Sequence, residues 1–229
     1  MVGGAENQIM SARETVLERV RRALGRAAGD PIAPLAAPRL RIPLAERNAS
    51  TSLFVQNFEK LGGKSNLVAQ PADVAAAIAT ILEGRRAVAS KAAFLDACGI
   101  TRLPEVQSGF ADRDELRAAC AAAEVGITSA DYALADTGTI VLVASAAEAR
   151  LISLLPPCHI AVFPRTRMLA NIDELFGILP HPAEQTSSMV LITGPSRTAD
   201  IEQILVRGVH GPGKITVMVG PACMAGRAG

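Results

Sequence analysis

From Thr51 onward, short apolar runs alternate with stretches of helical periodicity, and this rhythm limits the possible folds more than any single motif. A helical pattern carrying Leu53, Phe54, Phe58 and Leu61 stops at Gly62-Gly63. A strand is expected at residues 66–69, and Pro71 then opens an almost wholly apolar helix that runs to Leu82. Residues 86–90 read as a further strand, 92–97 as a short helix, and 112–121 as another helix with Leu116 inward. The expected fold class is therefore α/β: an open, mostly parallel sheet with helices on both faces. The chain is 49% hydrophobic but only 3% aromatic and has no Trp, so its core is built mainly from aliphatic side chains.

The rhythm breaks at residues 124–143, where no helical stretch separates two apolar parts. Adjacent antiparallel strands are expected there, an addition to the parallel sheet, with Asp136-Thr137-Gly138-Thr139 between them or at the start of the second. Thr128, Asp131, Asp136, Thr137 and Thr139 make this a polar cluster in an apolar region. Asp131 and Asp136 either share a proton for acid–base work or only make turn hydrogen bonds. Residues 148–155 read as a helix entered through Ser145 and stopped by Pro156-Pro157. A buried strand is expected at 158–163; its Cys158 and His159 face opposite sides, which argues against a nucleophile–base pair. Residues 171–178 read as a helix packed through Leu175 and Phe176.

The run Met189-Val190-Leu191-Ile192 reads as a buried strand that halts at Thr193-Gly194-Pro195-Ser196-Arg197. A helix is expected next, with Thr198 as its N-cap, Asp200 and Glu202 in its first turn, and Ile201, Ile204 and Leu205 as its buried stripe. Free N–H groups at such a helix start, with Ser196, Arg197 and Thr198 beside them, suit an anion. The plainer alternative is that Thr198 only caps and Arg197 pairs with Asp200 or Glu202. Gly208-Val209-His210-Gly211-Pro212 forms a second tight turn before a last strand at 214–219. The two turns and the 136–139 segment are expected to meet near the sheet edge around a small carboxylate, two of them at the carboxyl ends of strands, where open α/β sheets gather their ligands. Arg197 would take the carboxylate and Ser196 and Thr198 would orient it, with Thr137, Thr139, Gly194 and Gly211 completing the ligand-binding set. Asp131, Asp136 or His210 would move a proton.

Ahead of this domain, Ser11-Ala12-Arg13-Glu14 has capping-box spacing, and Val16, Leu17, Val20 and Leu24 recur at helical intervals. A Pro-rich stretch at 31–38 follows, so residues 1–50 are expected to form a helical arm and linker, 51–220 the α/β domain, and 221–229 a loose tail. The arm lies on its own domain or on a neighbouring subunit of a homo-oligomer. A net charge of +1 and the lack of aromatic platforms give no case for nucleic acid. Cys98, Cys120, Cys158 and Cys223 stand singly, which argues against zinc or an iron–sulfur cluster in this chain. With no membrane-length apolar run and no signal-peptide layout, a protein of the reducing cytoplasm is expected.

The segments 192–202, 208–212, 135–139 and 153–157 together resemble the LUD domain, and specifically the lactate utilization protein C family. The likeness extends from the Ser-Ala-Arg-Glu helix through the last strand. It implies a fold related to the sugar-phosphate isomerase and CoA-transferase group, and a part in oxidising L-lactate to pyruvate as one of three components. The other two components carry iron–sulfur clusters, so the resemblance implies that this chain needs partner subunits for electron transfer and carries no cofactor itself. Two other readings are a non-catalytic scaffold for those subunits and a stand-alone acyl- or sugar-phosphate-processing enzyme.

Overall fold

A computed structural model describes residues 11–27, 29–31, 47–201 and 204–221. The chain divides into two compact units, Met1–Ala37 and Pro38–Gly229. The first contains helix α1 (Ala12–Leu24), whose expected capping box is formed. Ser11 Oγ accepts from the Glu14 N–H at 3.2 Å, and Glu14 Oε2 accepts from the Ser11 N–H at 2.8 Å. Of the Pro-rich linker only Pro31 is among the described residues, and of the expected tail only Pro221.

The second unit runs α2 (Arg47–Lys60), β1 (Lys64–Leu67), α3 (Pro71–Leu82), β2 (Ala87–Ala89), α4 (Ala93–Ala97), β3 (Val106–Gln107), α5 (Arg113–Ala122) and β4 (Val125–Ser129). It continues through β5 (Tyr132–Leu134), β6 (Thr139–Val143), β7 (Cys158–Pro164), β8 (Met168–Leu169), α6 (Ile172–Ile178) and α7 (Pro182–Gln185). The last elements are β9 (Met189–Ile192), β10 (Arg197–Ile201), β11 (Ile204–Arg207) and β12 (Lys214–Gly220). Six strands form the main sheet in the order β1-β12-β7-β4-β2-β3, every pairing parallel. A second sheet of four strands, β8-β5-β6-β9, is mostly antiparallel, and β10-β11 is a separate hairpin.

Each face of the main sheet has its own core. On one face Val74, Ile78 and Leu82 of α3 and Leu95 of α4 pack over Ile127, Ile160 and Val162. On the other, Phe54 and Phe58 of α2 meet Phe163, Val217 and Val219 of the main sheet together with Ala133, Ile140 and Leu142 of the second. The ring of Phe54 stacks on Phe58 at 5.6 Å and meets the ring of Phe163 edge-on at 5.6 Å. The far side of the second sheet is closed by Leu175 of α6 over Leu134, Val141 and Leu169.

The expected antiparallel stretch at 124–143 is split: β4 joins the main sheet parallel to β7, and only β5 and β6 form the hairpin, turned at residues 135–138. The run at 189–192 is a half-exposed strand of the second sheet rather than a buried one, with Leu191 exposed. The helix expected from Thr198 is a hairpin, in which Arg197 pairs with Arg207 and Thr198 with Val206. Thr198, Ile201, Ile204 and Val206 are β-branched and favour the extended chain, which outweighs the helix-start signals. Residues 148–155 hold only a short 3₁₀ turn at Arg150–Ser153. The strands β3 and β8 and the helix α7 are too short to leave a period in the sequence.

The turn between β5 and β6 sits directly on α2. Gly138 has φ +65°, and a Cβ there would overlap the backbone of Asn57 and Phe58. Gly138→Ala is therefore expected to cost about 2 kcal/mol or more, because backbone strain and overlap add. Gly84→Ala, at φ +77° with open space around it, should cost only about 1 kcal/mol. Denaturant unfolding of the two variants reports the difference; equal midpoints would show that the contact on α2 carries no constraint.

Candidate functional site

Many of the residues nominated from sequence gather around the C-terminal end of α2. Thr139 Oγ1 lies 2.8 Å from Thr137 Oγ1 and 2.9 Å from Thr193 Oγ1, so these hydroxyls join the β5–β6 turn to the end of β9. Asn57 Nδ2 donates to the carbonyls of Ala135 and Asp136. Gly194 packs on Leu61, and the Arg197 guanidinium donates to the Leu61 carbonyl. Ser196 lies beside Gly211; its N–H donates to Pro212 O and its carbonyl accepts from Gly208 N–H.

The expected chemistry is not built there. Thr198 lies in a strand and not at a helix start, so among the described residues no helix N-terminus offers free N–H groups at this turn. The exposed His210 sits in the turn immediately before β12, at the amino edge of the main sheet and not at the carboxyl edge. Asp131 and Asp136 lie at opposite ends of β5, Asp131 Oδ2 accepting from the Val143 N–H while Asp136 Oδ1 is buried without a partner. No hydrogen bond joins the two carboxyls among the described residues.

The carboxyl edge holds a group that the sequence pattern concealed. Ser90 follows β2, Ser129 ends β4, and a tight turn after β6 carries Glu148 between them. Ser145 Oγ accepts from the N–H groups of Ala147 and Glu148, while Lys91 N–H donates to Ala147 O, which pins the turn to the sheet. Glu148 is 6% exposed. Its Oε2 accepts from Ser90 Oγ at 2.7 Å and from Ser129 N–H at 3.2 Å, whereas Oε1 is buried without a partner.

Burial pushes the Glu148 carboxyl up to about 8, and the neighbouring Asp131 charge adds to the shift. Asp131 is itself raised by burial, against the hydrogen bond from Val143 N–H and the charge of Arg167, which lies over the Tyr132 ring. At neutral pH Glu148 is thus an acid. Both partners approach Oε2, which leaves Oε1 without a partner among the described residues and free to carry the proton. The spacing from Ser145 to Glu148 resembles a helix entry, and for that reason the residue does not stand out in sequence. A carboxyl among small and apolar residues is the only other signal.

Glu148 lines a cleft of about 850 Å³ shared with Arg113, Arg117, Arg150, Ser145 and Asp114. Arg150 Nη1 donates to Ser188 Oγ at 3.3 Å. Among the described residues no ion pair engages Arg113 or Arg117. His159 plays a different part. It is buried in the sheet with Nε2 2.8 Å from Thr128 Oγ1, and burial holds it neutral, down to about 4. Cys158, with Arg85 Nη1 3.6 Å from its Sγ, belongs to the α3 side of the sheet, while the bond from His159 to Thr128 lies on the other, so the two form no dyad.

Comparison with known proteins places these features in a family. The LUD domain matches residues 51–219. Three similar relatives bear the name lactate utilization protein C. That of Macrococcus caseolyticus is 41% identical over 101 residues, covering 42% of this chain and 44% of the relative. That of Halalkalibacterium halodurans is 43% identical over 94 residues, 39% of this chain and 41% of the relative. That of Anoxybacillus flavithermus is 39% identical over 107 residues, 47% and 48% respectively. The chain thus spans somewhat under half the length of the curated relatives it matches. The crystal structure of a DUF162 family protein from Deinococcus radiodurans superposes with a TM-score of 0.58 at 22% identity, over 78% of this chain and 99% of that one. That likeness is one of fold.

The state of Glu148 has a measurable effect on stability. Its carboxyl ionises near 4.5 in the unfolded chain and near 8 in the folded one, so between these values the unfolded state has lost a proton that the folded state keeps. Stability therefore falls as pH rises from about 5 to about 8. Glu148→Gln keeps the shape and removes the titration, and should flatten that fall by about 3 kcal/mol. Parallel slopes in denaturant melts of the two proteins across this window would contradict a protonated Glu148.

Proposed function

Because the chain belongs to the LUD domain family, we propose that it serves in lactate utilization and binds a small carboxylate, L-lactate or pyruvate, in the cleft at the carboxyl edge of the main sheet. The observation that carries this reading is Glu148, a buried carboxyl with an unpartnered Oε1, in the lining of an arginine-bearing cleft. Guanidinium groups take carboxylates in two parallel hydrogen bonds, which suits Arg113, Arg117 or Arg150 as the anchor. The Glu148 O–H then donates to the ligand, and the same acid can pass a proton to a ligand oxygen or take one back. Ser90 and Ser129 hold the carboxyl in place by filling Oε2.

The relatives' name marks them as one of several components, which supports work alongside partner proteins. In this proposal iron–sulfur partner subunits carry away the electrons of lactate oxidation. The chain's described cysteines are separate thiols: Cys98 and Cys120 are buried, and burial raises both.

Titration of the full chain with L-lactate and with pyruvate tests the site. Binding is expected at pH 6.5, weakened about tenfold or more in Arg113→Gln/Arg117→Gln, and in wild type it should fade as pH rises through about 8, where Glu148 becomes an anion. Glu148→Gln should lose that pH dependence. Absence of binding by wild type, or affinities indifferent to the arginines, would remove the site from consideration.

A further inference from the structure

A second hollow, of about 660 Å³, opens at the amino edge of the main sheet, where the C-terminal turn of α3 faces the first residues of β1, β12, β7 and β4. Two similar steps frame it. Gly62-Gly63-Lys64 leads into β1, and Gly211-Pro212-Gly213-Lys214 leads into β12, the strand beside it. Lys64 pairs in register with Thr216 and Lys214 with Cys158, so both lysines belong to the face that carries Thr216, Cys158 and Ile160. Gly62 and Gly213 line the same hollow without side chains of their own, their N–H groups donated to the Glu59 and Pro157 carbonyls, so the lysines supply the free donors.

Charge favours an anion. Lys64 and Lys214 are exposed, and among the described residues no ion pair engages either one. Arg85 adds a third cation at the rim, though its N–H groups are directed to the Ile81 and Leu82 carbonyls; Glu83 is the single acid in the lining. Just behind Gly62 the Arg197 guanidinium reaches the Leu61 carbonyl, so the turns that looked anion-binding in the sequence border this hollow. An ammonium is a compact point charge, and two of them on adjacent strands suit a phosphate better than a single planar carboxylate. Ile81, Val125 and Ile160 supply an apolar wall for the rest of the molecule. No Phe, Tyr or Trp lines it, and the ring of His159, the one aromatic side chain in the lining, is buried and turned to Thr128 Oγ1, so a nucleobase finds no exposed platform on which to stack.

We propose that this hollow is a second ligand site, for a small non-nucleotide organic phosphate held between Lys64 and Lys214. It stands apart from the carboxyl-edge cleft and does not rest on the carboxylate reading. The test is titration of the full chain with glycerol 3-phosphate, inorganic phosphate and AMP, followed by calorimetry and by phosphorus NMR. Glycerol 3-phosphate should bind more tightly than inorganic phosphate and at least as tightly as AMP. Lys64→Gln/Lys214→Gln, both at exposed positions, should weaken it about tenfold or more while the circular dichroism spectrum and any binding of L-lactate or pyruvate stay unchanged. Failure of wild type to bind glycerol 3-phosphate, or equal affinity in the double variant, overturns the site. Tighter binding of AMP overturns the assignment to a non-nucleotide ligand.

Discussion

The contact on which the architecture depends is the packing of α2 between two sheets. The chain has six Phe and no Trp, and three of the six, Phe54, Phe58 and Phe163, meet at this point. Aromatic rings bury more apolar surface per residue than the Ala, Val and Ile side chains elsewhere in the core, so an aromatic-poor chain concentrates its largest contacts where three layers must be held together. The turn at Gly138 completes the arrangement. It lets the β5–β6 hairpin approach the α2 backbone so closely that no side chain fits between, and Asn57 fastens the hairpin by donating to two of its carbonyls.

That packing also decides where polar groups end up. The second sheet carries the β5–β6 turn and the end of β9 toward the C-terminal end of α2, which lies beside the start of β1. The hydroxyls of Thr137, Thr139 and Thr193 are then satisfied by one another, and Arg197 by a helix-end carbonyl, so these groups act mainly as internal fasteners. The carboxyl edge remains open and receives Glu148. Its raised proton affinity follows from the same economy of space: the turn at Ser145 presses the side chain between the ends of β2 and β4, where two donors reach one oxygen and burial disfavours the charge.

Opposite edges of one parallel sheet thus present different chemistry. One offers arginines and a protonated carboxyl, the other lysines and glycine-flanked backbone. The β10–β11 hairpin stands next to the amino-edge hollow, closed at its base by the bonds from Ser196 N–H to Pro212 O and from Gly208 N–H to Ser196 O. Those bonds place Gly213 and Lys214 at the rim, linking the glycine-rich turn to the start of β12.

The sequence by itself determined the alternation of strands and helices, the helix stop at Gly62-Gly63, the helix start at Pro71, the capping box at Ser11, an antiparallel pair around the 136–139 segment and the separation of Cys158 from His159. Each is a matter of local periodicity, caps or backbone freedom, which neighbouring residues settle among themselves. Local signals misled where two states competed. Thr198, Asp200 and Glu202 suggested a helix start, yet a hairpin forms, because a β-branched segment of this length takes its conformation from whichever partner strand is offered. Only the tertiary structure decided which sheet each antiparallel strand joined, which edge each turn reached, and that Glu148 is buried. A proton-holding carboxyl is made by desolvation, and desolvation comes from residues such as Ser90 and Ser129 that are distant in the chain and meet only when the sheet is assembled.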